Sequence, residues 1–286
     1  MKSKCVCHIR NTRFGYLPKE QQQVFLKCSQ KLLSFADLYI RLLGIPDVTQ
    51  HVRFRYVSRL LKIRSINRSK HVFIDIGCGY GLFSTWLASR GIQVIGVDIA
   101  SDKIKFAKKT SKILDIQDRS SYIVASACNL PFKENSFDNS ICLDVMEHIP
   151  NDLDAFSEIR RTLKTGGVLI LTTPCLLQRF RSNSAIELCK QWGHVRKGYF
   201  FGYLKRILKE RHMEIVASFY WLKFFAAKVF DFYFRFFWER YSRVQMMLCA
   251  MFFPLMYTIS LFDEIFLRES QGNEFALKIV KVDDCI

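Results

Sequence analysis

Residues 72–84 read VFIDIGCGYGLFS, and this stretch decides the fold of the chain. Its first five residues are apolar except for Asp75, which is typical of a strand buried on both faces. Gly77, Gly79 and Gly81 then follow at intervals of two. Glycine lets the chain turn sharply and leaves room for a ligand against the backbone. The stretch therefore predicts a strand, a tight turn and a helix whose first N–H groups point toward a ligand.

The spacing of these glycines separates two kinds of nucleotide-binding loop. The dinucleotide fingerprint G-x-G-x-x-G would need a glycine at position 82, where this chain has Leu82. The observed G-x-G-x-G, with Asp75 just before it, resembles the first motif of class I S-adenosylmethionine-dependent methyltransferases. A tight strand-to-helix turn without a cofactor is the structural alternative.

A second apolar segment supports the resemblance. Residues 94–97 read VIGV and end in Asp98, about 20 residues after the glycine loop, where such folds hold a ribose diol. Two hydroxyl donors would satisfy a carboxylate that is costly to leave unpaired at a strand end. Capping of a helix that begins at Ser101 is a compatible alternative role for Asp98.

Residues 122–132 (YIVASACNLPF) and 141–149 (ICLDVMEHI) resemble two further methyltransferase segments, acid-Ala-x-x-Leu-Pro-Phe and Glu-His-Ile. One position departs from the pattern, because Ser126 stands where the family usually has an acidic residue that receives the adenine amino group. The Ser126 hydroxyl or the Ala127 backbone would have to take that role. The loss of one hydrogen bond is worth about 1 kcal/mol, which does not overturn the assignment.

Strands and helices alternate between residues 72 and 174, which predicts a parallel sheet with helices on both faces. A Lys-Thr-Gly-Gly turn at 164–167 precedes the fifth strand at 168–171. The resemblance implies a Rossmann-like α/β fold with a seven-stranded, mostly parallel sheet in the order 3-2-1-4-5-7-6. Its last two strands, 213–220 and 274–282, are expected to pair antiparallel at one edge.

Four parts of the chain are predicted. They are a basic helical cap (1–70), a Rossmann-like core that binds S-adenosylmethionine (71–220), an aromatic helical insertion (221–273) and the returning last strand (274–286). Within the cap, residues 24–43 and 52–63 are expected to be helical. A helical cap of this kind typically precedes the first strand and shields the substrate.

The insertion is rich in aromatic residues. Residues 219–241 place Lys228 and Asp231 at helical spacing, opposite Ala226 and Val229, which predicts an amphipathic helix. Residues 244–262 contain no charge and are interrupted by Pro254. Since both flanking strands belong to one sheet, an even number of membrane crossings would be needed, and the first segment is too charged to cross. We therefore expect the insertion to lie in a membrane interface or to cover an apolar substrate channel; packing on the sheet or on a second subunit is the alternative.

The net charge of +17 is unevenly distributed. It amounts to +12 for residues 1–70, −1 for 71–177 and +6 for 178–286. Basic flanks around a neutral core suit an anionic partner, either a bilayer or a nucleic acid. Enzymes that methylate exocyclic base amines commonly carry Asn/Asp-Pro-Pro-aromatic after strand four, whereas residues 143–148 read LDVMEH, so nucleic acid is the less favoured partner.

The cysteines point to a reducing compartment. Ten cysteines without paired C-x-x-C spacing are typical of free thiols in the cytoplasm. The charged start of the chain does not resemble a signal peptide. Cys5, Cys7 and His8 have no evident fourth ligand, so no metal site is predicted.

The resemblance implies S-adenosylmethionine as the methyl donor and an apolar or lipid-linked small molecule as the acceptor, such as a quinone precursor, an isoprenoid or a glycan lipid. His148, and His194 in a Gly-His-Val-Arg segment that resembles the family's substrate-facing element, are candidate catalytic bases, because histidine is the side chain suited to proton transfer near neutral pH; structural roles for both are the alternative. An RNA methyltransferase and a non-catalytic membrane-binding relative stay open as alternatives. The predicted cofactor-binding residues are Asp75, Gly77, Cys78, Gly79, Gly81, Asp98, Ile99, Ser126, Ala127 and Leu143.

Overall fold

The computed structural model describes residues 48–62, 71–177, 193–233, 243–267 and 272–283. Its strands are β1 (Val72–Ile76), β2 (Gln93–Asp98), β3 (Ser120–Val124), β4 (Phe137–Leu143), β5 (Leu163–Pro174), β6 (Met213–Trp221) and β7 (Glu274–Lys281). Its helices are α1 (Val48–Leu61), α2 (Leu82–Ala88), α3 (Ser101–Ile113), α4 (Asp152–Thr162), α5 (Phe201–Lys209), α6 (Phe224–Tyr233) and α7 (Arg243–Phe266), with a 3₁₀ turn at Met146–His148.

The seven strands form one sheet in the order β3-β2-β1-β4-β5-β7-β6. β1 is parallel to β2 and β4, and the parallel pairing continues from β2 to β3 and from β4 to β5. β7 runs antiparallel to both β5 and β6. The strand order and the antiparallel edge predicted from the sequence are therefore confirmed.

The central strands are buried on both faces, as their apolar sequences require. Phe73, Ile74 and Ile76 of β1 and Leu169 and Leu171 of β5 are completely enclosed. Burial of each such side chain contributes about 2 kcal/mol to folding. Because this core fixes the register of the parallel strands, it also fixes where their carboxyl ends meet.

The sheet refines two local predictions. The predicted sixth strand, 213–220, is confirmed and is one residue longer, because Trp221 pairs with Glu274 across β7. The predicted turn at 164–167 lies where the pairing of β4 with β5 is interrupted, between the pairs Phe137–Leu163 and Asn139–Val168, and Gly166 has φ +71° there. This Lys-Thr-Gly-Gly segment falls within the bounds of β5 but interrupts its regular pairing.

The described residues group into two compact units. The sheet unit comprises 53–62, 71–177, 195–221 and 272–283, and the helical unit comprises 48–52, 193–194, 222–233 and 243–267. The predicted helix at 24–43, the boundary at residue 70 and the residues Cys5, Cys7 and His8 lie outside the described part of the chain.

α7 differs from its sequence-based expectation. The helix continues through Pro254 instead of being interrupted by it, and the Thr258 hydroxyl donates a hydrogen bond to the Pro254 carbonyl at 2.8 Å. Within the described ranges, no helix is both long enough and apolar enough to cross a bilayer.

Candidate active site

The glycine loop lies between β1 and α2. Gly77 has φ +67° and Gly79 has φ +55°, a region that side chains with a Cβ rarely adopt. A Cβ on Gly77 would lie 2.3 Å from Cγ2 of Val145, so packing requires glycine there. A Cβ on Gly79 would meet nothing within 4 Å. The middle glycine of the loop therefore presents its backbone to open space.

Asp98, at the end of β2, contacts this loop directly. Its Oδ2 accepts a hydrogen bond from the Gly79 N–H at 2.9 Å, and its Oδ1 accepts one from the Ala100 N–H at 2.8 Å. Each carboxylate oxygen can accept a further hydrogen bond, so two ribose hydroxyls can be accommodated. Ile99, the next residue, has an exposed side chain beside this carboxylate.

Asp75 lies beneath the loop and is almost completely buried. Its Oδ2 accepts a hydrogen bond from the Ser84 hydroxyl at 2.5 Å. Burial and, to a smaller extent, the nearby Asp98 raise the pKa of Asp75 to about 7, against the lowering effect of the hydrogen bonds from Ser84. The carboxyl group is therefore close to half protonated at neutral pH. A cation placed beside it would favour its ionised form.

Ser126 and Ala127 follow β3 and are both half-buried. The Ser126 hydroxyl oxygen accepts a hydrogen bond from the Cys128 N–H at 3.2 Å, so it stabilises its own turn. The Ala125 N–H donates to the Asp98 carbonyl at 3.1 Å, which holds this turn close to the end of β2. The turn is thus placed beside the predicted ribose site, and its contact with adenine stays a prediction.

The end of β4 carries an ion pair that the sequence did not reveal. Asp144 follows Leu143 with φ +51°, and its carboxylate pairs with the guanidinium of Arg53 from α1. Both side chains are buried. The Thr172 hydroxyl donates a second hydrogen bond to Asp144 at 2.7 Å. The pair holds α1 at Asp144. The next residue, Val145, has its side chain packed against Gly77 of the glycine loop. The signal for this ion pair in the sequence was Asp144 itself, an acidic residue within the apolar run 141–149.

His148 closes the 3₁₀ turn after β4, with its backbone N–H bonded to the Val145 carbonyl at 2.9 Å. Its side chain is half-buried, whereas that of the neighbouring Glu147 is buried and accepts a hydrogen bond from Thr173 at 3.3 Å. His194 belongs to the helical unit. The catalytic roles of the two histidines stay predictions.

Arg196, from the Gly-His-Val-Arg segment, has a structural task. Its guanidinium donates to the Met146 carbonyl at 2.6 Å and to the Pro150 carbonyl at 3.0 Å, and it lies 3.3 Å from Asp152. The Tyr199 hydroxyl donates to the same Asp152 carboxylate at 2.7 Å. This network holds the loop that carries His148, a role that the sequence pattern did not predict for Arg196.

The sequence-predicted residues of the sheet unit are therefore gathered at one edge. Parallel strands end together, so the glycine loop after β1, Asp98 at the end of β2, the Ser126 turn after β3 and Leu143 at the end of β4 share the carboxyl edge of the sheet. The open side of Gly79 next to the accepting oxygens of Asp98 fits a nucleoside with a free diol. The arrangement suits a bound cofactor better than a purely structural turn.

Comparison with known proteins agrees with this arrangement. Residues 74–171 match the model of the family described as "Methyltransferase domain". An uncharacterized protein of Methanocaldococcus jannaschii is 36% identical over 134 residues, covering 46% of this chain and 52% of that protein. The ubiquinone biosynthesis O-methyltransferase of Xanthomonas euvesicatoria is 33% identical over 123 residues, covering 43% of this chain and 48% of that enzyme. The chain thus spans about half the length of these curated relatives.

A solved structure shows the same fold. Phosphoethanolamine N-methyltransferase 2 of Haemonchus contortus, in complex with S-adenosyl-L-methionine, superposes with a TM-score of 0.59 at 22% identity, covering 80% of this chain and 52% of that chain. The family match covers β1 to β5, the strands that form and surround the glycine loop. Residues 74–171, about a third of the chain, are therefore similar to the methyltransferase domain family, and the strand order and loop geometry agree with that match.

Proposed function

We propose that this chain binds S-adenosylmethionine and transfers its methyl group to an apolar or lipid-linked small molecule at a membrane surface. Quinone precursors, isoprenoids and glycan lipids are the acceptor classes that fit. The observation that carries the cofactor assignment is the pairing of Gly79, with its open side, and the Asp98 carboxylate, whose oxygens keep accepting capacity.

In this proposal, each part of the carboxyl edge has one task. The bound cofactor supplies an electrophilic methyl group on its sulfonium sulfur. Asp98 accepts hydrogen bonds from the ribose diol, the Ser126–Ala127 turn borders the adenine, and Asp75 lies where an ammonium group would lower its pKa. Methyl transfer then depends mainly on alignment of the acceptor with the methyl group.

His148 is the proposed base for an acceptor that must lose a proton. Its imidazole is half-buried, and the loop that carries it is held by the hydrogen bonds from Arg196 to the Met146 and Pro150 carbonyls. An acceptor hydroxyl would pass its proton to the imidazole as the methyl group is transferred. His194 is the second candidate for this role.

Two observations support an apolar acceptor. The ubiquinone biosynthesis O-methyltransferase is 33% identical to this chain over 123 residues, although the match covers only about half of the enzyme. In addition, the insertion between β6 and β7 contributes α6 and α7, which are unusually apolar for helices with exposed faces. A peripheral location at the cytoplasmic side of the inner membrane is part of this proposal.

RNA methylation is the second candidate, because residues 1–70 carry a net charge of +12. One experiment separates the two activities. The purified chain is incubated with S-adenosylmethionine deuterated at the methyl group, together with either a membrane lipid extract or total RNA, and the label is located by mass spectrometry. We expect label in the lipid extract and none with the Asp98→Ala variant. Label in RNA alone would favour the second candidate, and binding of the cofactor without transfer to any fraction would point to a non-catalytic protein.

A further inference from the structure

The helices of the insertion, α6 and α7, cap each other. The carboxylate of Asp263, on α7, accepts hydrogen bonds from the Phe225 N–H at 2.8 Å and the Ala226 N–H at 3.0 Å, at the beginning of α6. In return, the Lys223 ammonium, just before α6, donates to the Leu267 carbonyl at 2.6 Å, at the end of α7. Carboxylates are favourable at helix N-termini and ammonium groups at helix C-termini. The two helices are thus joined as a rigid pair.

The exposed face of α7 is more apolar than the face it buries. Toward α6 and the interior of the helical unit, it buries Phe253 and Met256 but also the polar Ser260 and Asp263, the latter only 3% exposed. Its outward face carries large apolar side chains at spacings of three and four residues, with Leu255 59% and Ile265 68% exposed. Among the side chains of α7 that the structure describes, the exposed large apolar ones are Leu248, Met251, Phe252, Leu255, Phe262, Ile265 and Phe266.

α6 adds an aromatic and basic stripe. Phe224, Lys228 and Phe232 are exposed and follow one another at intervals of four residues, so they share one face of the helix. The Lys228 ammonium lies 5.9 Å from the centre of the Phe224 ring. The acidic residues of the two helices, Asp231, Glu264 and Asp263, are half-buried or buried. Lysine beside aromatic rings is the composition found where a protein meets lipid head groups.

The net charge of the chain indicates what kind of partner binds this surface. Contiguous exposed apolar faces mark sites of association, with another protein or with a membrane. A second copy would bring a further +17 toward the first, and the two would repel each other. An anionic lipid surface would instead attract both the chain and its exposed Lys228.

We propose that α6 and α7 form a docking surface for an anionic bilayer, with the outward side chains of α7 inserted among the acyl chains and Lys228 near the head groups. Interfacial helices insert their apolar face in this way. This inference rests on the membrane location in the proposed function, but it is independent of methyl transfer. The reciprocal caps from Asp263 and Lys223 keep the surface preformed.

Flotation of the full-length chain with vesicles tests the inference. Vesicles of phosphatidylcholine alone are compared with vesicles that also contain phosphatidylglycerol. The test variant is Leu255→Glu with Ile265→Glu. The matched control places the same charges on exposed apolar residues of the sheet unit, Ile113→Glu with Leu114→Glu, at positions 71% and 49% exposed.

We expect the wild-type chain and the control to float with the anionic vesicles and the test variant to lose at least tenfold in partitioning. Lys228→Gln should reduce binding to the anionic vesicles by about fivefold and leave binding to neutral vesicles unchanged. Equal flotation of the test variant and the control would overturn the inference. The inference would also fail if the wild-type chain stayed at the bottom of the gradient. If the wild-type chain were then found to be a dimer that the same substitutions dissociate, the surface would be a subunit interface instead.

Circular dichroism and calorimetry with S-adenosylmethionine on the same proteins separate this result from the proposed function. Retained helical content and cofactor binding in a variant that no longer floats would locate the defect in membrane docking. If the wild-type chain floats as expected but binds no cofactor, the methyltransferase proposal fails while the docking surface stands.

Discussion

The carboxylate of Asp98 accepts a hydrogen bond from the backbone N–H of Gly79 at 2.9 Å, which joins the end of β2 to the loop that follows β1. This contact holds the loop with the open side of Gly79 next to the carboxylate oxygens. A ligand that reaches the loop therefore meets the carboxylate as well. Loop position and ribose binding are coupled through one side chain.

Asp98→Asn tests this coupling. The amide is similar in size but replaces one accepting oxygen with a donor, which would face the N–H of Gly79 or Ala100. We expect the affinity for S-adenosylmethionine, measured by calorimetry, to fall at least about tenfold, or about 1.4 kcal/mol. Asp102→Asn, an exposed change in the first turn of α3, is the matched control and should bind normally. Normal binding by Asp98→Asn would contradict the proposed ribose contact.

Gly79→Ala and Gly81→Ala should separate cofactor binding from stability. Both positions have positive φ, so each substitution costs about 1 kcal/mol of conformational strain. A Cβ at Gly81 would in addition lie 2.8 Å from Tyr122 and 2.9 Å from Ala107, whereas one at Gly79 enters open space. We expect Gly81→Ala to have the lower melting temperature and Gly79→Ala the larger relative loss of cofactor affinity. Equal melting temperatures of the two variants would show that the side chains around Gly81 move to accommodate the added methyl group.

The pKa of Asp75 predicts how stability depends on pH. Burial raises this pKa from its ordinary value of 3.8 to about 7 in the folded chain. The folded state therefore binds the proton more tightly than the unfolded state, and this contribution to stability is complete below pH 3.8 and lost as the pH rises through 7. The corresponding free energy is about 4 kcal/mol. Urea unfolding of the wild-type chain should show this decline between pH 4 and 8, and Asp75→Asn should flatten it.

Asp75 should also link cofactor binding to protons. An ammonium group bound beside it would stabilise the carboxylate and lower its pKa, so binding at pH 7 should release a fraction of a proton. Calorimetry in two buffers with different ionisation enthalpies measures this release. Asp75→Asn should abolish it, and an unchanged release in that variant would assign the proton to another group.

Ser126→Asp restores the acidic residue that the family usually has at this position. A carboxylate can accept from the Cys128 N–H, as the hydroxyl does at 3.2 Å, and also from an adenine amino group. We expect S-adenosylmethionine to bind up to about fivefold more tightly, which corresponds to about 1 kcal/mol. Ser126→Ala removes the hydroxyl and is the opposite control. Weaker binding by Ser126→Asp would show that adenine does not lie beside this turn.

Arg53→Met tests the ion pair between α1 and the end of β4. The substitution leaves the Asp144 carboxylate buried with the Thr172 hydroxyl and without its cation. Removal of one partner of a buried pair costs about 3–5 kcal/mol. Urea unfolding should show this loss, and the double variant Arg53→Met with Asp144→Asn should recover part of it. If the double variant is no more stable than Arg53→Met, the two side chains do not act as a pair.

The sequence predicted much of the fold because the relevant signals are local. The run of apolar residues around Asp75 and the alternate glycines that follow it can be interpreted without knowledge of any distant contact. The family match over residues 74–171 confirms the resemblance recognised in those motifs. The end of the sixth strand was less well predicted, because pairing with Glu274 of β7 extends β6 by one residue, to Trp221.

By itself, then, the sequence indicated the sheet order only through the family resemblance, whereas it directly determined the glycine loop and the strand ends where a cofactor site belongs. Those features depend on residue type and on spacings of a few residues. Only the tertiary structure decided that Arg53 pairs with Asp144 across 91 positions, that Arg196 holds the loop of His148, and that Asp263 and Lys223 cap each other's helices. Each of these contacts joins residues far apart in the chain. The sequence position of a charged residue does not indicate which residue it will pair with. Burial, which strengthens the interaction within such a pair, is known only once the chain has folded.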